Sequence, residues 1–297
     1  MPPPSRACYD SPWKTALTHA FRAFLEFYFP AQCARIDWRR RPRFLDKELA
    51  QTGCGAHPAG RVADKLARVH LRDGSEQWVM VHIEVQAQRD DALARRVLAY
   101  NYRIFEQYGQ PVASLVLLAD DSPGWKPSAF HNTVLGTVMG ISFATAKLLD
   151  HSGRTDELLA SGNPFAIVTL AHLRTQQTRG SVADRYAAKW QLTKLLYDRG
   201  WRKERIIILF KVINWMMTLP EQWESRYWEA INRLERSRKV EWISPLEESF
   251  IEKGRLKGLK QGMAQGLEQG LERGREEGAA QLLERQLAQR SAPYRRR

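Results

Sequence analysis

The pattern that most limits the fold lies in residues 61–88, where two alternating segments flank a turn signal. In the second segment, VMVHIEVQ (79–86), valine or isoleucine occupies every other position from Val79 to Val85. Such alternation is typical of a β-strand with one apolar face. Asp73-Gly74 between the segments favours a tight turn, so the sequence predicts a β-hairpin.

The hairpin is followed by a predicted helix and a predicted buried strand. From residue 90 the apolar residues recur every three or four positions, with Asp90 or Asp91 as the predicted N-cap and Gly109 as the stop. The segment VASLVLLAD (112–120) is almost wholly apolar, as in a strand buried on both faces. Strand, helix and strand in this order predict a right-handed βαβ crossover in an α/β fold.

The flanking segments are predicted to be mainly helical. Residues 12–30 have helical spacing and Pro30 is expected to end that helix, while 131–149 alternate and 163–250 have helical patterns. Glycine then recurs at every fourth position from Gly254 to Gly278, and each glycine costs a helix about 1 kcal/mol relative to alanine. This tail is expected either to form a helix only against a partner, giving a homodimer, or to be largely disordered.

Composition excludes several classes of protein. No apolar run approaches the roughly 18 residues of a membrane span, and the N-terminus lacks the apolar segment of a secretory signal. The three cysteines show no paired spacing, so we expect a reducing compartment, a cytoplasmic location and no membrane partner. Without HxH or HExxH spacing or a glycine-rich phosphate loop, zinc, NTP and nicotinamide chemistry are not indicated.

The net charge of +13 is concentrated in part in one segment, RIDWRRRPRF (35–44). This segment has five arginines, one aspartate and one tryptophan. Arginines beside an aromatic ring suit phosphate contact and base stacking in a nucleic-acid-binding protein. The alternative interpretation is a solvated charged loop.

Polar residues on the predicted hairpin are the candidate functional residues. Glu84 and Gln86 share the polar face of the second strand, and Asp64 lies on the first strand. A two-residue turn would pair Asp64 with Ile83 on the apolar face, whereas an odd-length loop such as Asp73-Gly74-Ser75 pairs Asp64 with Glu84. A functional role for these residues therefore predicts the odd-length loop.

Paired carboxylates at this place indicate a metal site. Asp64 and Glu84 would repel each other unless a cation lay between them. Mg²⁺ binds through one or two such carboxylates together with water and phosphate oxygens. The alternative is an exposed face on which the two acids meet water or pair with Arg68 and Arg96.

The order of Asp64, a hairpin turn, Glu84-Val85-Gln86 and a helix resembles the PD-(D/E)xK nuclease motif in its E-x-Q form. The surrounding sequence resembles the Rpn family of recombination-promoting nucleases, also called YhgA-like putative transposases. The segments that carry this likeness include FLDKEL (44–49), RVADKLARVHLRDG (61–74), RRVLAYNYRIFEQY (95–108) and NPFAIVTLAHLRT (163–175). The likeness extends over roughly residues 20–280 and includes the glycine repeat.

The resemblance implies a restriction-endonuclease-like core, a central mixed sheet flanked by helices, over residues 12–175. A helical accessory region over 176–250 and a helical or disordered tail over 251–290 are expected to follow. The resemblance also implies a DNA endonuclease that promotes recombination and depends on Mg²⁺ or another divalent cation, such as Mn²⁺ or Ca²⁺.

Single residues are assigned by the same resemblance. Asp64 and Glu84 match the metal-binding acids, and Gln86 stands where many relatives of the wider superfamily have lysine. Arg96, four residues before a tyrosine on the following helix, matches an arginine expected to contact phosphate or to hold Glu84. Glu26 is the candidate for an acid on the first helix, with a salt bridge on that helix as the alternative.

The glutamine at position 86 leaves open whether the site cleaves DNA. Gln86 can hydrogen-bond to a water but adds no positive charge, and Lys65 is expected on the opposite face of its strand, so we expect slow turnover. The alternative function is a weak or inactive DNA-binding or oligomerising protein on a nuclease scaffold. A transposase core with three carboxylates is a weaker alternative, because no third acid is found in a suitable strand–helix context.

Overall fold

The computed structural model describes residues 11–45, 61–72, 78–86 and 88–247, with side chains except at 11–14, 61–64, 78–84 and 86. The predicted turn at Asp73-Gly74 and the glycine-repeat tail lie outside the described residues. The chain forms two compact units, Met1–Tyr227 and Trp228–Arg297. The domain boundaries expected after residues 175 and 250 stay predictions.

A five-stranded mixed sheet in the first unit has the strand order β1-β2-β3-β4-β7. The strands are β1 (Arg43–Phe44), β2 (Arg61–His70), β3 (Trp78–Gln86), β4 (Val112–Leu118), β5 (Ala129–Val134), β6 (Thr137–Ser142) and β7 (Ala144–Lys147). The first three strands are antiparallel, whereas β3, β4 and β7 are parallel, and β5 pairs with β6 in a separate hairpin. The predicted hairpin, buried strand and α/β class are thus confirmed.

Helices precede and follow this sheet in the chain. They are α1 (Ser11–His19), α2 (Phe21–Tyr28), α3 (Pro30–Arg35), α4 (Leu93–Tyr108), α5 (Thr155–Ala160), α6 (Pro164–Gln177), α7 (Val182–Asp198), α8 (Lys203–Met216) and α9 (Glu221–Arg238). The helix α4 connects the parallel strands β3 and β4, as the predicted crossover requires. Within the described residues, no helix is long and apolar enough to cross a membrane.

Two predictions about helix ends are wrong. The single helix expected over 12–30 is interrupted at Ala20 and Phe29, whose φ angles are −132° and −135°. Pro30 begins α3 instead of only ending a helix, because the first helical turn has no use for the N–H that proline lacks. The N-cap of α4 is Ala92, and Asp90 instead accepts the Ala92 N–H through Oδ1 at 2.9 Å. Gly109 ends α4 with φ 60°, as predicted.

Neighbouring residues of β2 show how the two faces of the sheet are covered. The Lys65 side chain is buried, and its Nζ donates to Thr18 Oγ1 of α1 at 2.6 Å. Leu66 is also buried but packs with Tyr100 and Ile104 of α4. Since successive strand residues point to opposite faces, α1 and α4 cover opposite faces of the sheet. Lys65 lies on the α1 face, which is the face opposite to that of residues 64 and 66, and this opposite placement was predicted.

Aromatic and hydroxyl contacts join the C-terminal helices of the first unit to its N-terminal helices. Phe24 of α2 meets Phe165 of α6 edge to face at 5.2 Å, and the hydroxyls of Tyr28 and Thr169 lie 2.7 Å apart. Burial raises the pKa of Tyr28 well above its usual value. The helix α6 is therefore part of the same packed core as α2.

We expect Leu66→Ala to destabilise the protein, because it leaves a cavity between β2 and α4. Replacing a fully buried leucine by alanine costs about 2–5 kcal/mol. Urea unfolding followed by circular dichroism measures this loss. The matched control is Leu135→Ala at the tip of the β5–β6 hairpin, where the side chain is fully exposed. Equal losses for the two variants would contradict the assigned packing of Leu66.

Candidate active site

The β2–β3 ladder pairs Asp64 directly with Glu84, the register that a functional role predicts. The same register continues to the pair His70–Trp78, so the seven residues between these two make an odd-length connection. The central residues of that connection lie outside the described residues. Beyond Asp64 a bulge shifts the pairing, and Arg61 comes to lie opposite Gln86.

The rows of paired residues continue across the parallel strands. Residues directly opposite each other lie on the same face of a sheet. Val116, the partner of Glu84, and Leu118, the partner of Gln86, both pack against α4. Positions 64, 84 and 86 therefore lie in the rows of the α4 face. These rows are at the carboxyl edge of the parallel strands, where α/β sheets commonly bind ligands.

The structure describes the backbone of Asp64, Glu84 and Gln86 but not their side chains. Directly paired residues have Cβ atoms roughly 5 Å apart, a spacing at which two carboxylates can share one hard divalent cation. The donor chemistry thus fits Mg²⁺, and the separation of the carboxylates stays a prediction. Among the side chains that are described, no group of three or more His, Cys, Asp or Glu is arranged to hold a metal.

Arg96 contacts the acidic residue that begins the α4 segment. Its Nη1 forms an ion pair with Asp90 Oδ2, and the two side chains are only 12% and 19% exposed. Asp90 also accepts the Ala92 N–H, so this carboxylate holds both the start of α4 and the guanidinium. A role of Arg96 towards phosphate or Glu84 stays a prediction.

Glu26, the candidate acid of the first helices, lies on α2. Its Oε1 accepts from Arg22 Nε at 2.7 Å, and the side chains are 45% and 60% exposed, respectively. This contact is the helix salt bridge that the sequence offered as the alternative. Exposed pairs at this spacing contribute little to stability, about 0.3–0.5 kcal/mol.

Another acid, Asp120, lies near the same edge of the sheet. Asp120 lies two residues after the end of β4 and is 3% exposed. Its Oδ1 accepts from Lys147 Nζ at 2.6 Å and its Oδ2 from the Ser122 N–H at 2.8 Å. Lys147 also donates to the Trp125 carbonyl at 3.1 Å. Because both its oxygens accept hydrogen bonds and its charge is balanced, Asp120 is held as a structural ion pair.

Lys147 occupies the row of the sheet that also contains Gln86. Leu118 lies between them, paired with Gln86 on one side and with Lys147 on the other. Two strand spacings place the backbones of Gln86 and Lys147 about 10 Å apart. The ammonium group of Lys147 is therefore on a residue of this row, two strands from the glutamine, and is paired with Asp120.

Sequence signals for this ion pair existed but were weak. An acid that directly follows a buried parallel strand falls at the carboxyl edge, which points to Asp120. Lys147 ends a four-residue strand, and its partner 27 positions away depends on the order of β4 and β7 in the sheet. No local sequence pattern specifies that β7 lies beside β4 in the sheet.

His172 of α6 lies behind the end of β4. Its Nε2 is 3.0 Å from Gln176 Nε2, and it shares a hydrogen bond with the Ala119 backbone. Burial lowers the pKa of His172 to about 4, while the Ala119 contact acts in the opposite direction. The imidazole is therefore neutral near pH 7 and helps to fix the residues that precede Asp120.

No protein-family model, no curated protein and no solved structure matches this chain.

We expect Lys147→Met to destabilise the protein by about 3–5 kcal/mol, because it leaves the Asp120 carboxylate buried without its partner. Chemical denaturation at pH 7 measures the loss. The control is Lys126→Met, which breaks the half-exposed Lys126–Asp150 pair and should cost at most about 1 kcal/mol. A cost for Lys147→Met no greater than that of the control would show that the Asp120–Lys147 pair does not support the edge.

We expect His172 to make the protein acid-sensitive between pH 6.5 and 4. A histidine with a lowered pKa binds its proton more tightly in the unfolded state, so stability falls as the pH drops through this window. The loss attributable to His172 is up to about 3 kcal/mol. His172→Gln should flatten the profile of unfolding free energy against pH, measured by urea titrations. His131→Gln, on the exposed β5–β6 hairpin, should leave the profile unchanged.

Proposed function

We propose that this chain is a divalent-metal-dependent DNA endonuclease of the restriction-endonuclease-like class, akin to the recombination-promoting nucleases. The observation that carries the proposal is the pairing of Asp64 with Glu84. An antiparallel hairpin, a helix and a parallel strand follow one another around this pair, which agrees with the core that the E-x-Q motif implies.

The candidate residues divide the chemistry of phosphodiester hydrolysis among them. Asp64 and Glu84 would hold the cation, and Mg²⁺ or Mn²⁺ would neutralise charge on the phosphate and favour deprotonation of water. Gln86, neutral and able to donate and accept, would orient the attacking water by hydrogen bonds. Arg96, which is paired with Asp90, would present its remaining guanidinium N–H groups as hydrogen-bond donors to phosphate beside the start of α4.

Gln86 is also the observation that favours the second candidate function. A lysine at this position would stabilise the charge that develops on the phosphate, and an amide does not. On a site without that charge, the protein would bind DNA, or assemble on it, with weak or no cleavage. The two candidates differ in one measurable property, metal-dependent strand cleavage.

We expect the purified full-length protein to nick supercoiled plasmid with Mg²⁺ or Mn²⁺ and not with EDTA. Asp64→Asn and Glu84→Gln should each lower the nicking rate by about 100-fold or more, because each removes a carboxylate that holds the cation. The isosteric control Asp184→Asn, on the exposed first turn of α7, should nick at the parental rate.

Two outcomes would contradict the nuclease. The first is an absence of nicking with every metal. The second is nicking that persists in Glu84→Gln after a further purification step, which would assign it to another protein. Either outcome with retained DNA binding would favour the second candidate.

A further inference from the structure

The segment 35–45 is built onto the sheet as an additional edge and is not a solvated loop. The Asp37 N–H donates to the His70 carbonyl at 2.8 Å, and the Arg72 N–H donates to the Arg35 carbonyl at 2.9 Å. At the other end of the segment, β1 pairs with β2. The positions of its arginines are therefore set by the backbone of β2.

The tryptophan of this segment packs against helices α2 and α3. Trp38 Nε1 donates to the Cys33 carbonyl at 3.1 Å, and its ring meets Phe21 edge to face at 6.0 Å. The Arg22 guanidinium lies over the ring at 5.6 Å. Trp38 is thus engaged in packing, so the base-stacking role expected from the sequence is not needed to explain it.

Exposed guanidinium groups cover the outside of this edge. We call them the arginine surface: Arg35, Arg39, Arg40, Arg41, Arg43 and Arg72. In the described part of the chain, Asp37 is the carboxylate that pairs with any of them, through Arg39 at 3.1 Å and Arg40 at 4.0 Å. Among the described residues, the arginine surface therefore carries an excess of positive charge.

Two arginines face each other directly within this edge. Arg43 of β1 is the cross-strand partner of Arg68 of β2. Like charges in direct opposition destabilise a strand pair. Burial lowers the pKa of Arg68, and Arg43 lowers it further. The two side chains add positive charge to this edge, and phosphate accepts two parallel hydrogen bonds from an arginine.

The edge is connected to the candidate active site through one strand. Arg68 and Asp64 are four residues apart on β2, on the same face, which corresponds to about 13 Å. Successive nucleotides of one DNA strand rise about 3.4 Å along the helix axis. This separation therefore corresponds to about four nucleotides.

We propose that the arginine surface, centred on the opposed Arg43 and Arg68, binds the sugar–phosphate backbone of DNA about four nucleotides from the position that is cut. This inference rests on the proposed nuclease function for its ligand. The surface lies outside the pair Asp64–Glu84, so it binds without metal and without regard to base sequence.

The test is binding of a fluorescein-labelled 20-base-pair duplex to the full chain in EDTA, measured by anisotropy over a series of NaCl concentrations. The triple variant Arg39→Gln, Arg41→Gln and Arg43→Gln should raise Kd by about tenfold or more. The slope of log K against log salt should become shallower by about 0.9 for each phosphate that the variant no longer neutralises. The control variant, Arg202→Gln, Arg205→Gln and Lys211→Gln on and beside α8, removes the same amount of charge and should change Kd less than about twofold.

The single variant Arg43→Gln separates a binding role from a structural one. It removes a like charge opposite Arg68, so the melting temperature should not fall while duplex affinity does. A fall in both, unchanged affinity in the triple variant, or an equally large rise in Kd for the control variant would overturn the proposal. Nicking is measured with metal and duplex binding in EDTA, so a failed nicking assay and a failed binding assay are distinguishable.

Discussion

The register between β2 and β3 determines where each polar residue of the central sheet lies. A slip of one residue would move all side chains of a strand to the other face. Two contacts oppose such a slip, the packing of Leu66 against α4 and the hydrogen bond from Lys65 to Thr18. The contacts with α4 on one face and with α1 on the other thus hold residue 64 opposite residue 84.

The other charged residues near the carboxyl edge are joined in pairs. Asp120 is neutralised by Lys147 in the interior, and Asp90 by Arg96 at the start of α4. The attraction within a buried ion pair offsets the cost of desolvation only when each charged group is also hydrogen-bonded. Asp120 meets this condition, because it accepts a further hydrogen bond from the Ser122 N–H. These pairs fix the ends of β4 and β7 and the entry to α4, which together surround the rows that contain residues 84 and 86.

Local sequence patterns predicted the individual helices and strands of this fold well, and the contacts between them less well. Alternation in β3, apolar composition in β4 and helical spacing in α4 each lie within one segment, so the elements could be read directly. The pairing of Asp64 with Glu84 followed from the parity of the connection, once a functional role was assumed. The break at Ala20 has no local signal in residues 12–30, and the sequence missed it.

The missed part of the candidate site depends on the order of strands. Asp120 and Lys147 meet because β7 adds beside β4, although the β5–β6 hairpin separates the two strands in the chain. His172 reaches the Ala119 backbone from a helix more than fifty positions away. Contacts at such distances are decided by tertiary packing, which periodicity does not contain. The roles of Asp64, Glu84, Gln86 and Arg96 remain proposals for experiment.

The edge strand β1 has a consequence for the behaviour of the protein at high concentration. An exposed sheet edge offers unpaired N–H and carbonyl groups to any other polypeptide. Here the edge is two residues long, is preceded by Pro42, which has no N–H, and carries Arg41 and Arg43. Short length, proline and charge are the features by which proteins prevent strands from adding to a sheet. The same edge therefore discourages a second polypeptide backbone, and in the proposed role it would bind a phosphate backbone instead.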